Sequence, residues 1–121
     1  MIGDMSLSVD VGKFEAASQS AGEQAEITEK NRKLAPKLAR NLADAGMFKL
    51  FVPAEIGGLE LSPVEGNRLI HELATHDASS AWVSMIGSTA ALGAAFIVPD
   101  ISADMFAAPS RITCGIFAPN G

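Results

Sequence analysis

The sharpest chemical pattern in this chain is His71-Glu72-Leu73-Ala74-Thr75-His76, which holds the residue types of a zinc-protease helix. That chemistry needs its two histidines four apart, so that both imidazoles face one metal. Here they are five apart, which turns the second ring well away from the first, and no third ligand is evident. The pair therefore reads as two polar-face histidines near the end of a helix, with no metal ligand among them. Serines are plentiful, but no Gly-x-Ser-x-Gly elbow occurs and no Ser, His and acid set has supporting spacing. Gly57-Gly58 and the glycines between 87 and 93 lack both the strand-to-helix context and the lysine of a phosphate loop, so they read as turn and packing glycines. Trp82, the single tryptophan, has Ser79, Ser80 and Ser84 as neighbours; it could line a pocket, but core packing is the better reading of the residues alone. Cys114, the single cysteine, excludes an internal disulfide and multi-cysteine metal sites, fits a reducing compartment, and reads as a structural buried thiol. No catalytic residue is assigned.

The elements that must position these residues are helical. Phe14, Ala17, Ala21, Ala25 and Thr28 recur at helical spacing through 13–31, and Leu34, Leu38, Leu42 and Ala45 form a second stripe. Pro36 is comfortable only in a first helical turn, so a break is expected near Lys33 or Leu34, and Gly46 is the expected stop. Residues 48–61, bounded by Pro53 and Gly57-Gly58, read as an ordered loop. Ser62-Pro63-Val64-Glu65 starts a helix with a capping box, whose buried face is Leu69, Ile70, Leu73 and Ala74. Asp77 caps the next helix, the uncharged run 81–98. That run is about the minimum length to span a bilayer. Ser84, Ser88 and Thr89 interrupt it, no Lys or Arg flanks it, and a capped amphipathic helix feeds it directly, so it reads instead as a central buried helix sandwiched between the others. Pro99-Asp100 ends it and starts a short helix through Phe106. Residues 111–117, rich in β-branched and aromatic side chains, read as a first strand.

Composition bounds the function. One domain is the expectation for 121 residues, and 48% hydrophobic against 19% charged residues suggests a surface that meets another domain or subunit. The net charge of -5, with Lys30, Arg32, Lys33, Lys37 and Arg40 interleaved with acids and apolar residues, disfavours nucleic acid. The first eleven residues contain Asp4 and Asp10 and lack a basic n-region, so no targeting peptide is read there and the expected location is cytoplasmic.

The order of four segments carries a resemblance: 42–48 (LADAGMF), 52–59 (VPAEIGGL), 69–74 (LIHELA) and 77–82 (DASSAW). Together they resemble the N-terminal helical domain of the acyl-CoA dehydrogenase superfamily over about residues 34–121, most specifically in the loop ending Gly57-Gly58-Leu59. The resemblance implies a flavoenzyme of three parts, of which this chain is the first; a central β domain and a C-terminal helical bundle would complete it, the latter bringing the catalytic base. It further implies a substrate cavity lined by Trp82, Met85 and Thr89, with Ile116, Phe117 and Ala118 near the flavin. The tail Phe117-Ala118-Pro119-Asn120-Gly121 is more similar to the branch of flavin-dependent hydroxylases acting on aromatic compounds, although the histidine those carry near Ala90 is absent.

The expected fold is all-α: a helical bundle around a central apolar helix over residues 1–110, followed by the start of a β strand at 111–121. The expected function is that of one wall of a flavin-dependent oxidoreductase or monooxygenase. Its cofactor would be FAD, or reduced FMN or FAD, and its substrate an acyl-CoA or an aromatic compound. The remaining domains of the same protein and a homotetramer are the implied partners, with no nucleic acid and no membrane. The rival reading is a stand-alone helical module that binds a partner without catalysis.

Overall fold

A computed structural model describes residues 9–115. Asp10 opens α1 (Val11–Glu23), its carboxylate accepting the Lys13 N–H at 3.1 Å. One residue, Gln24, separates α1 from α2 (Ala25–Asn31), so the expected first helix is present but interrupted, two residues after Gly22, a weak helix former. Phe14, Ala17, Ala21 and Thr28 are buried, as their spacing requires. Arg32 ends α2 in the left-handed conformation, at φ 53°. Pro36 then occupies the first position of α3 (Pro36–Asp44), where a missing N–H costs nothing, and Leu38 and Leu42 face the core. Gly46, at φ 83°, turns the chain out of α3.

Residues 47–61 form the ordered loop, with a single 3₁₀ turn at Ala54–Ile56. It doubles back on itself: the N–H groups of Leu59, Glu60 and Leu61 donate to the carbonyls of Lys49, Val52 and Leu50 at 3.0, 3.0 and 2.9 Å. Gly58 makes that approach possible, because a Cβ there would collide with the backbone carbonyl of Val52. Two loop aromatics then seat on glycines of the following helices. The Phe51 ring lies where a Cβ on Gly66 would be, and Phe48 would be 2.8 Å from a Cβ on Gly87.

Helix α4 (Pro63–His76) begins with the expected capping box, the Ser62 hydroxyl accepting from Glu65 N–H and the Glu65 carboxylate accepting from Ser62 N–H at 2.9 Å. Leu69 and Leu73 are buried and Ile70 half-buried, whereas Ala74 is exposed, contrary to expectation. Asp77 caps α5 (Ala78–Ala90) through the Ser79 and Ser80 N–H groups and the Ser80 hydroxyl, the last at 2.6 Å. Its buried carboxylate thus sits on the positive end of the helix with three donors. Helix α5 runs without a gap into a 3₁₀ segment, Ala91–Phe96, and α6 (Pro99–Met105) follows. The pair α4 and α5 packs most extensively, with α1 against α3 and α4.

Two expectations about the architecture are not met among the described residues. The uncharged run 81–98 is not sandwiched: only one side of it is buried, and that side holds the small residues Ala81, Ser84, Gly87, Ser88, Ala91 and Ala94. Small residues let neighbours approach closely, and the Ser88 hydroxyl donates to Met47 C=O at 2.8 Å across that contact. The other side remains exposed, with no further layer over it among the described residues. The second expectation concerns the tail. Among the described residues 111–115 there is no strand, and 116–121 lie outside the described residues. Nor, among the described residues, is any helix long and apolar enough to cross a membrane.

Candidate functional site

The uncovered side of α5 and the 3₁₀ segment carries the large side chains of the run. Trp82 is 63% exposed, Val83, Leu92, Phe96 and Val98 are exposed, and Met85 and Ile86 are half-buried between them. Trp82 is therefore not a core residue; the serines and alanines of α5 took that role. Spacings of three and four place Trp82, Met85 and Thr89 on one stripe of the helix, and the structure does bring all three to its outer side. The Thr89 hydroxyl donates back to the Met85 carbonyl at 2.8 Å, with Ile86 C=O at 3.2 Å, which engages its proton within the helix. From 81 to 98 this stripe holds no ionisable side chain, so it can shape, desolvate and stack on a ligand but cannot move a proton.

At the N-terminal end of the stripe lies a concavity of about 540 Å³, which includes Trp82 but neither Met85 nor Thr89. It is lined by the apolar Trp82, Val83, Leu34 and Ala78, by Thr28 and Ser79, and by the charged Glu29, Arg32 and Lys33. Sequence reasoning missed these companions, because α2 and the α2–α3 connection reach α5 only through tertiary packing.

At the other end of α5 the chain returns from α6. Lys49 holds this return: its buried ammonium donates to the carbonyls of Phe106 and Ala108, both at 2.9 Å, and lies 5.6 Å from the Phe106 ring centre. Burial, and secondarily the positive charge of Arg111, lower its pKa below the ordinary lysine value. Arg111 donates to the Asp104 carbonyl and sits 3.6 Å from the Asp104 carboxylate. Thr113 donates to Gly87 C=O at 3.4 Å, so the segment leading toward 116 is laid against the same helix that presents Met85 and Thr89. The expected flavin contacts Ile116, Phe117 and Ala118 lie outside the described residues. Lys49 gave no sequence signal, since its partners are 57 and 59 residues away.

The remaining chemical candidates stay apart. His71 and His76 are both exposed, and no group of three or more His, Cys, Asp or Glu side chains suited to a metal forms among the described residues. Cys114 is exposed rather than buried, because the segment carrying it runs over the surface of this chain.

Comparison with known proteins supplies the frame for this geometry. The family model for the acyl-CoA dehydrogenase N-terminal domain matches residues 13–98. The chain is also similar to an indole-3-acetate monooxygenase of Pseudomonas putida, 29% identical over 111 residues, covering 88% of this chain and 28% of that protein. The chain thus spans somewhat over a quarter of the length of that relative.

Proposed function

The chain belongs to the acyl-CoA dehydrogenase N-terminal domain family, and on that premise we propose that it forms one wall of the substrate site of a flavin-dependent oxidoreductase. The observation that supports this best is the inverted patterning of helix α5 and the 3₁₀ segment after it, which bury serine, glycine and alanine and turn Trp82, Met85, Thr89, Leu92 and Phe96 outward. A contiguous apolar face of that kind marks a surface made to be covered. In this reading Trp82, Met85 and Thr89 touch substrate, and the remaining domains of the same protein close over Leu92, Phe96 and Val98.

A flavin, when bound, would supply the redox chemistry. The residues of this chain would orient an apolar substrate and exclude water, which strengthens every polar interaction inside the site. Met85 and Thr89 suit that role, the thioether being soft and adaptable and the hydroxyl, its proton held by helix carbonyls, offering its oxygen as an acceptor. No residue of the α5 stripe can act as acid or base, so proton transfer falls to groups elsewhere in the assembly. The clamp of Lys49 on the 106–108 turn then fixes where the chain departs toward the expected flavin contacts Ile116, Phe117 and Ala118.

The likeness to a monooxygenase favours an aromatic substrate over an acyl-CoA. Bound FAD or a supplied reduced flavin, a cytoplasmic location and a homotetramer complete the reading. The test is to express the chain with the coding sequence that follows Gly121 and assay the product for flavin absorbance, and for turnover of an acyl-CoA or, with reduced flavin, of an aromatic acid. Retained or recoverable flavin with turnover of either class is the expected result. A product that takes up no flavin, oxidised or reduced, would favour the stand-alone binding module instead.

A further inference from the structure

The groove at the N-terminal end of α5 is built wholly from this chain, and it is chemically lopsided. Its apolar lining includes Trp82, Val83 and Leu34, and its charged lining is two cations, Arg32 and Lys33, against one carboxylate, Glu29. Thr28, also in its lining, is 4% exposed, and its hydroxyl has no hydrogen-bond partner among the described residues. A polar atom so placed is usually satisfied by something.

Arg32 is informative for a second reason. It ends α2 at φ 53°, a left-handed geometry that glycine adopts freely and a long L side chain does not. Glycine would end the helix with less strain, so the left-handed turn itself does not call for a long cationic side chain at this position. What the guanidinium does provide is a planar fork of donors lining the same groove as an exposed indole.

From this juxtaposition we propose that the groove binds a small planar carboxylate, its ring against Trp82 and Val83 and its carboxylate held by Arg32 and Lys33. The groove shares Trp82 with the substrate wall described above, but binding there needs neither flavin nor a further domain, so the two readings fail separately. An aromatic ring gains by stacking on the indole, and the carboxylate gains charge-assisted bonds, bidentate ones from the guanidinium. A neutral ligand would lose the second contribution.

Because Trp82 is the single tryptophan, its fluorescence reports this groove without a label. Phenylacetate titrated into the chain at constant ionic strength should quench it saturably, with a dissociation constant of about 1 mM. Phenylacetamide, its neutral counterpart, should bind roughly tenfold more weakly. Arg32→Gly should also weaken phenylacetate by about tenfold while raising the unfolding temperature of the ligand-free protein. That opposite movement separates a ligand contact from a structural one, and Arg32→Gly does not threaten folding. Equal, unsaturable quenching by acid and amide would overturn the proposal, as would unchanged affinity in Arg32→Gly. Octanoate binding as tightly as phenylacetate would overturn the planar part and assign the groove to an acyl chain.

Discussion

Replacing Gly58 by alanine tests the loop that carries the family resemblance. Gly58 is not held at positive φ, so the cost of a methyl group there is steric rather than conformational. The added Cβ would overlap the carbonyl carbon and oxygen of Val52, which are backbone and cannot rotate away. Restoring ordinary contact requires the two arms of the loop to part by about 1 Å, well beyond the tolerance of a packed interior. Three bonds bridge those arms, from Leu59, Glu60 and Leu61, and each contributes about 1 kcal/mol net. Val52 is also fully buried against Ala91, Ala94 and Phe106, so the displacement disturbs that cluster too. The expected loss is about 3 kcal/mol, a large share of the roughly 5–15 kcal/mol available to a domain. Urea denaturation of Gly58→Ala beside Gly93→Ala measures it, since a Cβ on Gly93 would meet nothing within 4 Å. A Gly58→Ala variant within about 0.5 kcal/mol of the parent would refute the steric reasoning.

Further perturbations follow from the same packing. Ala94→Glu buries an unpaired charge at a site 4% exposed and should cost about 3 kcal/mol or more, whereas Ala90→Glu, on a half-buried position, should cost clearly less; denaturation midpoints of the pair decide. Asp77→Ala removes the acceptor for two N–H groups and one hydroxyl at the start of α5, an expected loss of about 1–2 kcal/mol by the same assay. Lys49 sets a pH dependence. Its folded pKa is lowered, so between that value and the ordinary lysine value the unfolded chain binds more protons, and stability should rise with pH through that window. Lys49→Met should flatten the rise in thermal stability measured across alkaline pH; an unchanged slope would exclude Lys49 as its source.

Local chemistry was legible in the sequence, and tertiary placement was not. The Ser62 capping box, the Asp77 cap, Pro36 at the first turn of α3 and the Gly46 stop each depend on residues within a few positions, and all appear where the spacing puts them. The uncharged run 81–98 announced a helix apolar on every side, which is equally the pattern of a central helix and of one whose second face awaits a partner. What distinguishes them is which side carries the small residues, and that emerges only when Phe48 is seen against Gly87 and Ser88 against Met47. The same reason hid the groove. Arg32 and Lys33 read only as basic residues interleaved with acids and apolar positions near a helix break, and their place in one groove with Trp82 comes from tertiary packing. Of the expected site, Trp82, Met85 and Thr89 do share one exposed side, while Cys114 and the sandwiching of α5 were misread because both assumed that this chain covers itself.

The central claim is that the outer face of α5 is made to be covered by the rest of a larger flavoprotein and its substrate. Hydroxyl-radical footprinting of Trp82, Met85 and Phe96 tests it most directly, in the 121-residue chain and in the product extended beyond Gly121. Heavy oxidation of Trp82 and Phe96 in the short chain is predicted, with several-fold protection in the extended protein and further protection of Trp82 and Met85 when substrate is added. Equal oxidation of all three side chains in both proteins, with or without substrate, would contradict the account.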